Sequence, residues 1–298
     1  MFSEYYRSAL QQRSFPAASR VEDTMTKMIK VIGLLATFAL ASAASLLASS
    51  QAWAADSVIE DIKKRGSLRV GMATFVPWAM RDKNGELIGF EIDVAKKVAA
   101  DMDVEAEFVP TAWDGIIPAL LAGKFDVIIG GMSITPARNL TVNFSSPYAN
   151  SSLGVMANKK EAEGLEWPDG YNSSKVTFVC RRGATPCNYI QEKFPKATLR
   201  QFDDQGQTLQ EVLNGNATAM ISSQPLPAHT IYDNPEVVFS PTDNKIEPGN
   251  EAFALRKGDA DALNFFNNWI LVNRANGFLQ TRHNYWFGGR DWADQIAQ

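Results

Sequence analysis

The sequence is poor in histidine and cysteine, with two of each among its 298 residues. His229 and His283 offer little material for a Ser-His-Asp triad. Even joined to the two cysteines, they make a zinc site an unpromising reading. There is no excess of positive charge. The formal net charge of -4 argues against nucleic acid as the main partner, which would favour a basic face. No internal repeat or low-complexity tract stands out, and no GKS/T phosphate loop is present. No cofactor or metal is implied. The remaining composition, 45% hydrophobic and 21% charged, is that of an ordinary globular protein long enough for one large domain or two modest ones.

The N-terminal stretch reads as targeting rather than structure. Lys27 and Lys30 precede an apolar run from Val31 to Leu47, and Ala52-Trp53-Ala54 follows. A basic start, an apolar middle and an A-x-A site are the three parts of a secretory signal peptide, here 25–54 with cleavage after Ala54. A membrane anchor is the competing reading, but Ala and Ser dilute the run. Residues 1–24 are polar, and a signal peptide normally begins near the initiator Met. Translation is therefore expected to start at Met25, leaving 1–24 as an extension upstream. Export to the periplasm follows. Five of the 29 basic and three of the 33 acidic residues lie in 1–54, so the mature chain is more acidic still. In an oxidising compartment, Cys180 and Cys187 suggest a disulfide, with two free thiols as the alternative.

Beyond residue 55 the apolar pattern alternates between strand and helix. A polar helix, Ser57 to Lys64, ends at Gly66, and "SLRVGMA" reads as a strand. Asn84-Gly85 marks a hairpin. "LIGFEIDVAKKVAADM" starts as strand and becomes an amphipathic helix, "VEAEFVP" is a strand, "WDGIIPALLAG" a helix, and "FDVIIGGMS" a buried strand. The pattern restarts with "VTFVC", "CNYIQEKF", "TLRQF", "GQTLQEVLNG" and "ATAMISS". "EAFALRKGD" reads as one more strand, followed by two helices broken at Gly277. Two α/β units in series, each with a mostly parallel sheet, suggest two lobes. In such sheets ligands bind beyond the carboxyl ends of strands. Turns after Val70, Ile129, Val179 and Ile221 could converge there.

Three features at those strand ends carry chemistry. In "GGMSITPAR", Gly130 and Gly131 permit close backbone approach, Ser133 and Thr135 offer hydroxyls, and Arg138 offers a planar fork for a carboxylate. The plain alternative is an N-capped helix with a surface Arg. In "RRGATPC", a strand, a Gly and a helix start place amide groups around Ala184 and Thr185, which suits an anion. An ordinary strand-to-helix turn would look the same. Phe75, Trp78 and Trp113 can wall a ligand or be core.

The runs "LRVGMATFVPWAMRDKNGELIGFEIDVAKKVAADM" and "WDGIIPALLAGKFDVIIGGMSITPARNLTVNFSSPYA" resemble the polar amino-acid substrate-binding proteins of ABC importers, bacterial solute-binding protein family 3. "GNATAMISSQPLPA" and "FALRKGDADALNFFNNWI" extend the resemblance over essentially the whole mature chain. It implies a type II periplasmic-binding-protein fold, a Venus-flytrap of two α/β lobes joined by two hinge strands. Lobe 1 is expected from 55–151 and 246–298, and lobe 2 from 152–245. By the same resemblance, Arg138 and Ser133 bind the ligand's α-carboxylate and the Thr185 amide completes that site. Gly131 offers a carbonyl to the ammonium, Phe75 and Trp113 bracket the ligand, and Arg181 reaches its side chain.

One position departs from the family pattern. An Asp that neutralises the ammonium is usual after the lobe 2 strand, and Ser223 stands there. An ammonium buried without a carboxylate is poorly compensated. Either the ligand lacks that group, or another acid, Glu251 or Asp114, takes over. Arg138 with Arg181 and Arg182 favours a mono- or dicarboxylate, unless the latter two are surface residues. The expected function is capture of an amino acid or related small carboxylate by a monomer that delivers it to an inner-membrane ABC permease. A cyclohexadienyl dehydratase-like lyase on the same scaffold and a ligand-presenting sensory protein are the alternatives.

Overall fold

A capped helix opens the described chain. In this computed structural model the described residues are 57–242 and 246–296, all within one compact unit spanning Ala55–Gln298. The expected signal peptide and upstream extension lie outside them. Ser57 caps α1 (Val58–Arg65), acids occupy its first turn and bases its last, and Gly66 in a left-handed conformation ends it. Cap, charge order and terminal Gly each favour a helix over this stretch.

The alternation read from the sequence follows. β1 (Ser67–Met72) leads to the hairpin β2 (Met80–Arg81) and β3 (Leu87–Ile88), then α2 (Phe90–Asp101) and β4 (Glu105–Pro110). A tight turn at Trp113–Gly115 enters α3 (Ile116–Leu121), followed by β5 (Val127–Ile128), α4 (Pro136–Asn139) and β6 (Asn143–Phe144). The long β7 (Ala149–Asn158) precedes β8 (Thr177–Arg181), α5 (Thr185–Lys193), β9 (Thr198–Phe202), α6 (Gln205–Leu213), β10 (Ala219–Ser223), α7 (Leu226–Asp233) and β11 (Val238–Phe239). β12 (Ile246–Glu251), β13 (Ala254–Leu255), α8 (Ala260–Ala275) and α9 (Phe278–His283) complete the order, with the helix break at Gly277 as expected.

Two sheets organise these elements. The first runs β4-β1-β5-β13-β6, with β1 parallel to β4 and β5, and β13 antiparallel to β5 and β6. The second runs β11-β7-β10-β8-β9, with β8 parallel to β9 and β10. The chain exits from the first sheet through β7 and returns through β12. These two strands pair antiparallel from Ala149↔Glu251 to Leu153↔Ile246. Both sheets are mixed: the β4-β1-β5 and β10-β8-β9 sides are parallel, and the remaining ladders are antiparallel.

Two stretches differ from the sequence reading. "FDVIIGGMS" contributes only Val127–Ile128 to a ladder, and the backbone turns at Gly131, where φ is 66°. "EAFALRKGD" is not one strand: Glu251 ends β12, and β13 holds only Ala254–Leu255. Between them the Ala252 amide donates to the Met132 carbonyl and the Phe253 amide to Ser145 Oγ, so the chain changes partner there.

Phe178, Ile190, Phe194 and Ile221 form a cluster on one face of the second sheet, while the large cluster joins Val70, Phe90, Val94 and Phe266 to Met156, Val179 and Met220 of the second sheet. Burying such side chains contributes about 1.5–3 kcal/mol each before entropy is counted. The first turn of α1 is tied to the start of α8, since Asp259 accepts from Ser57 Oγ (2.9 Å) and the Val58 amide (2.7 Å).

Candidate functional site

The site begins where β5 stops. Gly131 has φ 66°, and a Cβ added there would lie 2.9 Å from the Trp78 ring, so both backbone and space require glycine. Its amide donates to the Tyr148 hydroxyl at 3.2 Å. Further along the same turn, Thr135 caps the short α4, with Pro136 in its first turn, and accepts from the Arg138 amide at 3.2 Å. The cap fixes the backbone of Arg138 and thereby the root of its side chain. Arg138 Nη1 donates to the Ser133 carbonyl (2.9 Å), and Nη2 donates to the Gly183 carbonyl (3.1 Å), which belongs to the turn after β8. Arg138 thus spans the two strand-end turns. Burial lowers its pKa to about 10, which leaves it charged at neutral pH.

The turn after β8 is held by a covalent tie. Cys180 and Cys187 form a disulfide, with Cα atoms 5.6 Å apart, that joins the end of β8 to the first turn of α5. Arg181, Gly183 and Thr185 lie inside that loop. Gly183 has φ 73°, and a Cβ there would meet the Asp114 backbone at 3.1 Å, so this turn rests on the Trp113–Gly115 turn. Thr185 opens α5, and with Ser133 it lines a small cavity of ≈ 70 Å³ beside Ser151, Pro248 and Gly249 of the connecting strands.

Phe75 and Trp113, the pair expected to bracket a ligand, are buried and do stand together. Their slot already has an occupant. The Arg181 guanidinium lies 4.5 Å from the Trp113 ring centroid and 5.0 Å from that of Phe75, a double cation–π stack. Its Nη1 reaches the Thr74 carbonyl at 3.5 Å, and its Nε has no partner. Arg182 behaves differently: it is exposed and pairs with Asp203 at 2.7 Å.

The acids are placed as follows. Ser223 ends β10 opposite Leu153, and among the described residues no side-chain hydrogen bond joins it to the arginine cluster. Asp114 is exposed beside Gly183. Glu251 is 1% exposed, and its backbone bridges to that of Ser133. Glu251 Oε1 accepts from Ser151 Oγ at 2.6 Å, while Oε2 is unpartnered. Burial pushes Glu251 up to about 7, against the hydrogen bond from Ser151.

A second buried acid escaped the sequence reading. Glu91, fully buried on α2, accepts the Tyr148 hydroxyl on both oxygens at 2.7 and 2.8 Å, which links it through Tyr148 to the Gly131 amide. Burial raises its pKa to about 8. The available signal was its helical spacing with Val94, Ala95 and Val98, which puts an acid on the apolar face. Among the described residues no group of three His, Cys, Asp or Glu side chains could hold a metal ion, and no helix is long and apolar enough to cross a membrane.

The L-cystine-binding protein TcyJ of Escherichia coli (strain K12) is 27% identical over 256 residues, 86% of this chain and 94% of that protein. The cyclohexadienyl dehydratase of Pseudomonas aeruginosa is 24% identical over 243 residues, 81% of this chain and 90% of the enzyme. Among solved structures, the ancestral amino acid-binding protein AncCDT-1, a precursor of cyclohexadienyl dehydratase, is 38% identical. It matches with a TM-score of 0.70 over 78% of this chain and 99% of its own. The fold is that of type II periplasmic binding proteins, two α/β lobes joined by two strands. Residues 68–289 match the profile of one family, and the chain belongs to it: the bacterial extracellular solute-binding proteins, family 3.

Proposed function

We propose that this protein captures an amino acid or related small carboxylate between its lobes in the periplasm and delivers it to an ABC permease in the inner membrane. The observation that carries the reading is Arg138, a half-buried guanidinium that reaches the Ser133 carbonyl on one strand-end turn and the Gly183 carbonyl on the other. A carboxylate arriving there would meet a planar charged fork, with the amides of Ser133 and of Thr185 at the helix start beside it. Ligand contacts on both turns would favour the closed state, which is all that a capture-and-release protein needs. The lobe boundaries 55–151, 152–245 and 246–298 are part of this proposal, supported by the pairing of β7 with β12. Phe75, Trp113, Gly131, Ser133, Arg138, Arg181, Thr185 and Ser223 are proposed as the lining of the site.

The test is a thermal-shift screen of ligand-stripped protein against amino acids and small carboxylates. A ligand that binds only the folded form raises the melting point by mass action. Shifts confined to carboxylates are expected. A panel in which amines or neutral sugars shift the protein and carboxylates do not would sink the proposal.

One observation keeps a second reading in play. Glu251 is a buried acid near the Ser133 turn that holds its proton close to neutrality, as a general acid for dehydration must. We propose binding without turnover. Formation of aromatic product from prephenate or arogenate would replace that with the lyase reading.

A further inference from the structure

The slot between Phe75 and Trp113 is filled by the protein's own cation. Arg181 rises from the end of β8, is 7% exposed, and lays its guanidinium between the two rings. A guanidinium carries five N–H donors. Those of Arg181 meet one carbonyl at the long distance of 3.5 Å, while Nε meets nothing. Arg138 stands over the same Trp113 ring at 5.8 Å, so two guanidiniums border one indole. Among the described residues neither makes a salt bridge. Asp204, exposed at the start of α6, acts on Arg181 only through space, while Arg138 opposes its charge.

A buried guanidinium, Arg181, beside a half-buried one, Arg138, without a carboxylate between them, forms a poorly compensated arrangement. Aromatic faces soften the desolvation of Arg181 but cannot accept its in-plane hydrogen bonds. The arrangement is completed by an incoming molecule that supplies acceptors to both forks. A cationic ligand would have the opposite effect. It would have to displace Arg181 from two rings and then sit beside two positive charges.

We infer that the ligand carries two anionic groups on a short chain, one gripped by Arg138 and the other by Arg181, and that Arg181 excludes cationic amino acids from the aromatic slot. The inference rests on the carboxylate-capture reading above and sharpens its substrate class to dicarboxylates, acidic amino acids among them. Arg182 has no part in it, being exposed and paired with Asp203.

The test is calorimetric titration of ligand-stripped protein with L-glutamate, L-aspartate, L-glutamine, L-arginine and L-lysine, using wild type and Arg181→Gln. L-Glutamine is the neutral isostere of L-glutamate, so their ratio isolates the second charge. In wild type, the better acidic amino acid should bind at least tenfold more tightly than L-glutamine, L-arginine or L-lysine. In Arg181→Gln that advantage should shrink to within twofold, with α-carboxylate binding retained. Wild-type binding of L-glutamine or L-arginine as tight as that of the acids overturns the inference and leaves carboxylate capture standing. An acid preference that persists undiminished in folded Arg181→Gln also overturns it. Failure of all five amino acids, and of succinate and L-malate titrated beside them, to bind wild type overturns both readings. Should the variant not fold, as judged by its unfolding transition, the wild-type ratios still decide.

Discussion

Glu251→Gln should stabilise the ligand-free protein at alkaline pH and leave it unchanged near pH 4. Glu251 is 1% exposed, with Oε1 accepting from Ser151 Oγ and Oε2 unpartnered. Its pKa rises from an ordinary 4.5 to about 7 in the folded state, chiefly through burial. The folded protein therefore prefers the protonated carboxyl. That preference is fully present below about pH 4.5 and is lost as pH rises through 7. A tenfold change in proton affinity corresponds to about 1.4 kcal/mol, so the ionised carboxylate costs the fold about 3 kcal/mol at pH 8. Glutamine mimics the protonated form: its carbonyl can still accept from Ser151, and its amide stands where Oε2 finds no partner. The charge on Glu251 also raises Glu91, so its removal should ease ionisation there. For a domain of this size 3 kcal/mol is roughly 6–12 °C in Tm. The assay is thermal unfolding of wild type and variant from pH 4 to pH 8. The difference should open between pH 4.5 and 7. A difference that is flat with pH, or wild type more stable than the variant at pH 8, would refute the reasoning and mean that the carboxylate has a stabilising partner.

Two further outcomes follow from the turns. Replacing Cys180 and Cys187 with Ser opens a loop with a sequence separation of 7. A loop that short corresponds to about 2 kcal/mol of unfolded-state entropy, measurable by urea denaturation. Ligand affinity should fall as well, because Arg181, Gly183 and Thr185 lie inside the loop. Gly131→Ala should cost about 1–3 kcal/mol, since alanine at φ 66° is strained and its methyl would press on Trp78. An unchanged denaturation midpoint in that variant would show that the turn relaxes freely.

Much of the fold was legible because local signals and apolar periodicity agreed. Ser57 and Gly66 bounded α1 almost to the residue, Asn84-Gly85 located its hairpin, and Gly277 split the last two helices. Short ladders were not legible. β13 and β5 hold two residues each, and their limits depend on which carbonyls lie across the sheet, a fact absent from local sequence. The site divides the same way. "SITPAR" gave Arg138 its cap and its turn, because Thr135 and Pro136 act locally. Arg181 was visible as a residue near the site, but its insertion between Phe75 and Trp113 was not. Those three side chains come from separate stretches of chain, and only the fold brings them together. Glu91 was hidden for another reason: a carboxyl on a helix is usually solvated, and only its burial beneath Tyr148 makes it part of the site's support.

The central claim is that Arg138 holds the ligand's carboxylate, and calorimetric titration of the tightest carboxylate ligand into wild type and Arg138→Ala tests it most directly. A fork donating two charge-assisted hydrogen bonds, each worth about 1.5–3 kcal/mol, predicts at least an approximately hundredfold loss of affinity in the variant. The unfolding transition should remain cooperative. Binding by a folded Arg138→Ala protein within twofold of wild type would contradict the account.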